Sequence, residues 1–201
     1  MTCSDAQAER IVVVATQLFA ELGFDGSSLG LIAEAAGVGT AAINERFGGK
    51  NELYRAVMLR AHQAERAALA EAAAAFTPTR RGLGDLIDAY LDYYAANPAL
   101  VSLWLHRRMG DATDIAEMEE LYVRPGFTKL AAALSEVAPG DVDIDFVLWT
   151  IPWMVSGFLS SGVMRSAQSD HVENTGPDPH DLAEFRRYLH QVIERMLPLP
   201  D

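Results

Sequence analysis

Residues 26–50, GSSLGLIAEAAGVGTAAINERFGGK, decide how this chain is read. Ser28 offers a side-chain oxygen to cap a helix through Ile32 and Ala36, and Gly37 supplies the left-handed residue that turns the chain sharply. Gly39 or Thr40 then caps a second short helix with Ile43 and Phe47 on its inner face. GGK, at 48–50, breaks that helix before another begins near Lys50. Ile32, Val38, Ile43 and Phe47 hold the two short helices at a large angle, which leaves the outer side of the second free to enter a major groove.

Upstream, Ile11, Val14, Ala15, Leu18, Phe19 and Leu22 recur at three- and four-residue steps, predicting an amphipathic helix over 9–22 closed by Gly23. Downstream, helical patterning runs from Asn51 to Phe76 and stops before Pro78. Further helices are expected over 83–96, 98–109, 115–123, 126–137, 144–165 and 181–197, with Asn97-Pro98 and Arg124-Pro125 as breaks. No stretch alternates with period two, so the expected fold is all-α. Its expected domains are a helix-turn-helix DNA-binding domain over 1–54 and a ligand-binding and dimerisation domain over 55–201.

Charge argues against an unspecific nucleic-acid binder. The 201 residues carry a net charge of −12, and any grip on DNA must be local and geometrically organised. Residues 1–60 hold 5 Lys+Arg against 7 Asp+Glu, net −2, while the remainder holds 11 against 21, net −10. One cysteine, Cys3, excludes a disulfide framework and a cysteine metal site. The opening MTCSDAQAER lacks the basic start and apolar run of an export signal, so a cytoplasmic protein is expected. Phe146 to Met164 is uncharged and near the length of a spanning helix, but Pro152, three serines and the mid-span Trp149 and Trp153 argue for a protein core instead of a membrane.

The stretch IVVVATQLFAELGFDGSSLGLIAEAAGVGTAAINERFGGKNELYRAVM, Ile11 to Met58, resembles the amino-terminal domain of tetracycline-repressor (TetR) family regulators. An apolar helix, GF, a serine cap, IAEAAGV and an aromatic-x-x-lysine step all fall in register. The resemblance implies DNA contacts from Ser28, Thr40, Ala42, Asn44, Glu45, Arg46 and Lys50. Small Thr40 and Ala42 would let the helix approach base edges, and Ser28, Arg46 and Lys50 would bind phosphates. Asn44 stands where a tyrosine is usual and could pair with adenine or donate to a phosphate. Glu45 replaces an aromatic or basic residue, and either accepts from cytosine N4 or repels the backbone. Gly30 and Leu31 also depart from the pattern, removing a polar contact and a capping-box acid. The resemblance further implies a repressor that binds a palindromic operator as a homodimer and answers to a small ligand. The acidic balance and Glu45 motivate an alternative, a sensor or interaction module of the same fold with weakened DNA binding.

The carboxy-terminal half supplies candidates for the remaining roles. Ser156, Gly157, Ser160 and Ser161 permit close helix approach, and Phe185, Leu189 and Val192 belong to the apolar stripe of the last helix. Paired across a two-fold axis, these helices would form a four-helix interface. Tyr90, Tyr94, Trp104, Arg107, Trp149 and Trp153 suit a pocket for a small apolar or aromatic effector. Asp85, Asp88 and Asp92 form an acidic stripe, read as a solvated helix face, with a cationic effector as the less ordinary alternative.

No enzyme or cofactor is expected. GSSLG, 26–30, matches the form of a nucleophile elbow, but that motif needs a strand before the serine and here joins two helices. His171, His180, Asp170, Glu173, Asp178 and Asp181 lie in a polar stretch without metal-ligand spacing.

Overall fold

The computed structural model describes residues 5–113, 115, 117–163 and 178–201. Cys3, Met164, Asp170, His171 and Glu173 lie outside the described residues. Among those described, no strand occurs, and the elements are α1 (Asp5–Gly26), α2 (Leu29–Ala36), α3 (Thr40–Phe47), α4 (Lys50–Ala68), α5 (Ala70–Ala75), α6 (Arg80–Ala96), α7 (Pro98–Arg108), α8 (Arg124–Ser135), α9 (Ile144–Ser161) and α10 (Pro179–Met196). The chain forms two compact units, residues 1–64 with 99–123, and residues 65–98 with 124–201. The expected boundary at residue 54 therefore lies inside α4, and the first unit runs on to Ala64 and takes in a segment far away in sequence.

The core of the first unit is assembled from Ile11, Ala15 and Phe19 of α1, Ile32 of α2, Ile43 of α3, and Leu53, Tyr54 and Met58 of α4, all essentially without solvent contact. Each such apolar side chain contributes about 1.5–3 kcal/mol by leaving water. Leu22, expected on the inner stripe of α1, is exposed, while Val12 and Ala20 are buried. Phe19, Phe24 and Tyr54 pack as a ring cluster with centroids 5.0–5.9 Å apart. Burial pushes the Tyr54 hydroxyl up to about 12, helped by Asp111 and Glu119 and opposed by Arg107.

Gly23 does not end α1 outright. It leaves helical geometry at φ 75°, ψ 170°, and helical structure resumes to Gly26. The N–H groups of Phe24 and Asp25 donate instead to the Asp111 carboxylate, the second at 2.9 Å. His106 Nε2 lies 3.2 Å from the Ala20 carbonyl oxygen. Arg107 is buried, its guanidinium bonded to Glu119 at 2.7 and 2.9 Å and to the carbonyls of Ala112 and Ile115. Arg55 pairs with Glu117, and His62 stacks on Tyr122 at 4.8 Å. The segment 99–123 is thus bound to α1 and α4 by named polar contacts.

Two expected elements differ. The helix expected over 115–123 is a π-helical turn, Glu119–Val123, leading into α8. Pro125 does not break the chain there: it is the second residue of α8, directly after the π-helical turn. The long helix expected from Asn51 to Phe76 is divided at Leu69.

The second unit packs Leu83, Ile87 and Leu91 of α6 with Val147, Leu148, Ile151, Val155 and Phe158 of α9 and Phe185, Leu189 and Ile193 of α10. Phe158 and Phe185 stack face to face at 4.0 Å, with ring planes 3° apart. Arg186 binds Asp88 at 2.8 Å and also Asp92, and His190 Nε2 lies 2.8 Å from the same Asp88 oxygen. Two of the three acids in the α6 stripe are therefore occupied by α10, which removes Asp88 and Asp92 as a face for a cationic effector. α9 is the one described helix long and apolar enough to cross a membrane; it carries Pro152 and packs against α6, α8 and α10.

Candidate nucleic-acid interface

The reader segment is built by local rules. Ser28 caps α2, its Oγ accepting from Leu31 N–H at 3.1 Å, while neighbouring Ser27 is buried and donates to the Gly23 carbonyl at 2.7 Å. Gly37, at φ 66°, closes α2 in the left-handed conformation that lets α3 start three residues later. Gly48 and Gly49, at φ 85° and 128°, turn the chain again so that Lys50 opens α4. No side-chain cap bonds the start of α3, because Gly39 holds that position.

Ile43 fixes the orientation of α3, since it is wholly buried and α3 packs against α2. Ala41 and Glu45 lie two residues away on either side, each about 160° round the helix at ~100° per residue. Both are exposed and mark the centre of the outward face, with Thr40 and Asn44 exposed beside them and Ala42 half-buried at its edge. The presented surface is thus Thr40, Ala41, Asn44 and Glu45. Ala41 was missed in the sequence because alanine carries no chemical signal; only its angle from Ile43 identifies it.

The candidate phosphate-binding cations are lightly held. Arg46 Nη2 lies 3.5 Å from Asp5 Oδ1, an exposed pair worth under about 1 kcal/mol and readily exchanged for a phosphate. Lys50 Nζ sits 4.1 Å above the Phe24 ring, which positions the ammonium beside the turn without neutralising it. Ser28 is exposed.

The six candidate effector residues are divided between the two compact units. Trp104 and Arg107 belong to the first compact unit and are buried; the Arg107 guanidinium is directed to Glu119 and to two backbone carbonyls. In the second unit, Tyr90 and Tyr94 meet at 4.7 Å, and Trp149 stacks between Phe127 at 5.2 Å and Trp153 at 6.2 Å. Trp153 is half-exposed. A recess of about 320 Å³ opens elsewhere, between α4–α5 and α6.

The dimer candidates divide in the same way. Ser156, Phe185 and Leu189 are buried within the single chain, so they form its own core and cannot also form a seam. Gly157, Ser160 and Ser161 are exposed, and Val192 is half-buried. Exposed Trp153, Tyr188 and Met196 lie on the same two helices. His180, Asp181 and Glu184 come within ion-pair range at the exposed first turn of α10, an ordinary surface cluster of charges.

Residues 11–57 match the family model "Bacterial regulatory proteins, tetR family". No curated protein matches the sequence. Solved structures share the fold over nearly the whole chain. The fatty acid degradation regulator FadR from Bacillus halodurans aligns with a TM-score of 0.70 at 17% identity, covering 94% of this chain and 95% of that one. The TetR family regulator PfmR from Thermus thermophilus gives 0.68 at 21%, covering 92% and 94%. The ketosteroid regulator KstR2 of Mycobacterium tuberculosis gives 0.69 at 16%, covering 96% of each. Residues 11–57 thus carry the helix-turn-helix of the model for bacterial regulatory proteins of the tetR family, and the chain as a whole shares the all-helical fold of these solved regulators.

Proposed function

We propose that this protein is a cytoplasmic transcriptional repressor that binds a palindromic operator as a homodimer and releases it when a small effector with an apolar or aromatic body binds. The observation that carries the reading is the exposed face of α3, Thr40, Ala41, Asn44 and Glu45, set by buried Ile43 and two glycine turns, with Lys50 at the start of the next helix. With few cations per half-site, affinity depends on a second copy doubling them and on backbone N–H groups at helix starts. The exposed strip Trp153, Gly157, Ser160 and Ser161 of α9, with Tyr188 and Val192 of α10, is the proposed seam. The effector shifts a two-state equilibrium between reader-helix separations. No catalytic role is proposed, since Ser28 acts as a helix cap.

Selecting bound duplexes from a random pool with the purified protein, at low and near-physiological salt, tests this. An enriched palindrome with half-sites about one DNA turn apart supports the dimeric reader. Absence of enrichment even at low salt favours the second reading, a sensor without DNA binding, for which the central position of Glu45 is the specific observation.

A further inference from the structure

The recess between α4–α5 and α6 is walled by Ala68, Ala72, Ala75 and Ala89 and carries the carboxylates of Glu71 and Asp85. None of its lining residues is cationic. Arg81 reaches Asp85 at 3.9 Å, with its own side chain 90% exposed. Its 320 Å³ falls within the range of small-molecule sites.

Both walls continue toward one constellation. Glu65 precedes Ala68 by three residues on α4, and Tyr93 follows Ala89 by four on α6, so each lies one helical turn further along the lining face. The Tyr94 hydroxyl hydrogen-bonds the Glu65 carboxyl, and Tyr93 lies within electrostatic range of it. The rings of Tyr90, Tyr93 and Tyr94 are 4.7 and 5.2 Å apart in tilted and edge-to-face contact. Tyr90 and Tyr93 are half-exposed and Tyr94 is buried. A half-buried carboxylate held by one tyrosine hydroxyl is under-compensated, and burial pushes Glu65 up to about 6. The group that satisfies such a carboxylate among electron-rich ring faces is a cation that sheds water easily.

We propose that this slot binds an amphiphilic organic cation, a protonated amine or quaternary ammonium whose charged head meets Glu65 and the tyrosine rings while its apolar body lies against the alanines. The inference rests on the ligand-responsive reading above and names the chemical class of effector. Glu71 and Asp85 add negative potential along the slot and disfavour anionic ligands.

Calorimetric titration of the full chain with benzyltrimethylammonium, benzyl alcohol and benzoate tests it, since the three share a ring and differ in charge. The cation should bind at least tenfold more tightly than the alcohol, and benzoate should not bind. Glu65→Gln should remove the tenfold advantage of the cation while leaving the alcohol unchanged, and Ala72→Trp, which fills the slot from a half-exposed position, should abolish both. Equal binding of cation and alcohol by the natural chain, or no cation binding, overturns the proposal, as does an equal loss of both ligands in the glutamine variant. Operator binding is read separately from the selected duplexes. Cation binding without duplex enrichment leaves this site standing and removes the regulator, whereas enrichment without cation binding does the reverse.

Discussion

Replacing Glu65 by glutamine should stabilise the protein at neutral pH, although it deletes a charge. The carboxyl is moved by burial from an ordinary 4.5 to about 6, partly offset by the Tyr94 hydroxyl. A gap of about 1.5 pH units corresponds to about 2 kcal/mol at 1.36 kcal/mol per unit. Between those two values the folded chain holds a proton that the unfolded chain has released. Stability therefore falls as pH rises from about 4.5 to 6 and levels off above. Near pH 7.5 the natural protein bears the full deficit, while glutamine bears none and still offers Tyr94 an acceptor. For a chain of this size, 2 kcal/mol corresponds to a midpoint difference of about 4–8 °C. Thermal unfolding followed by circular dichroism at pH 5, 6, 7 and 8 measures it, and the subtraction of the two proteins cancels every other titrating group. The gap between variant and natural chain should be small at pH 5 and reach a plateau above pH 7. A gap independent of pH, or a variant less stable at pH 8, would refute the reasoning.

Three further outcomes follow from the interface. Glu45→Gln should change the preferred base at one position of each half-site; uniform tightening on all duplexes, read by repeating the selection, would mean that Glu45 only repels phosphates. Lys50→Ala should weaken binding to all sequences alike and lower the salt slope by about one per protomer, measured by titrating a selected duplex at several salt concentrations. Gly157→Leu on the open face of α9, where an added side chain meets nothing in the single chain, should leave the protomer folded but shift sedimentation toward monomer; an unchanged dimer would move the seam elsewhere.

Why the reader segment was legible and the body was not comes down to range. Ser28, Gly37, Ile43 and Lys50 act on neighbours within a few residues, so capping and periodicity fix the helix-turn-helix directly. By contrast, nothing near His106 or Asp111 in sequence announces that they hold the end of α1, some 86 and 87 residues before them. Arg107 read as a ligand contact because a cation among aromatics looks the same whether it greets a ligand or a glutamate of its own chain. Phe185 and Leu189 read as a seam because a strong apolar stripe does not say which neighbour it covers, and α9 of the same chain already does. The alanine slot was invisible, since alanine signals helix and not cavity; Glu65 became notable only when Tyr94 came beside it.

The junction that Asp111 makes with the end of α1 also sets an order of synthesis. The first 64 residues leave the ribosome without His106, Arg107, Asp111 or Glu119, and residues 65–123 take roughly 3–12 s more at ~5–20 residues per second. Until then Phe24 and Asp25 lack their acceptor and the amino-terminal unit is unfinished, so a fragment ending at Ala64 should melt well below one ending at Val123. An interrupted chain then yields no finished reader head. The amino-terminal unit is therefore completed by a stretch that the ribosome delivers only after residues 65–98 of the other unit have been made.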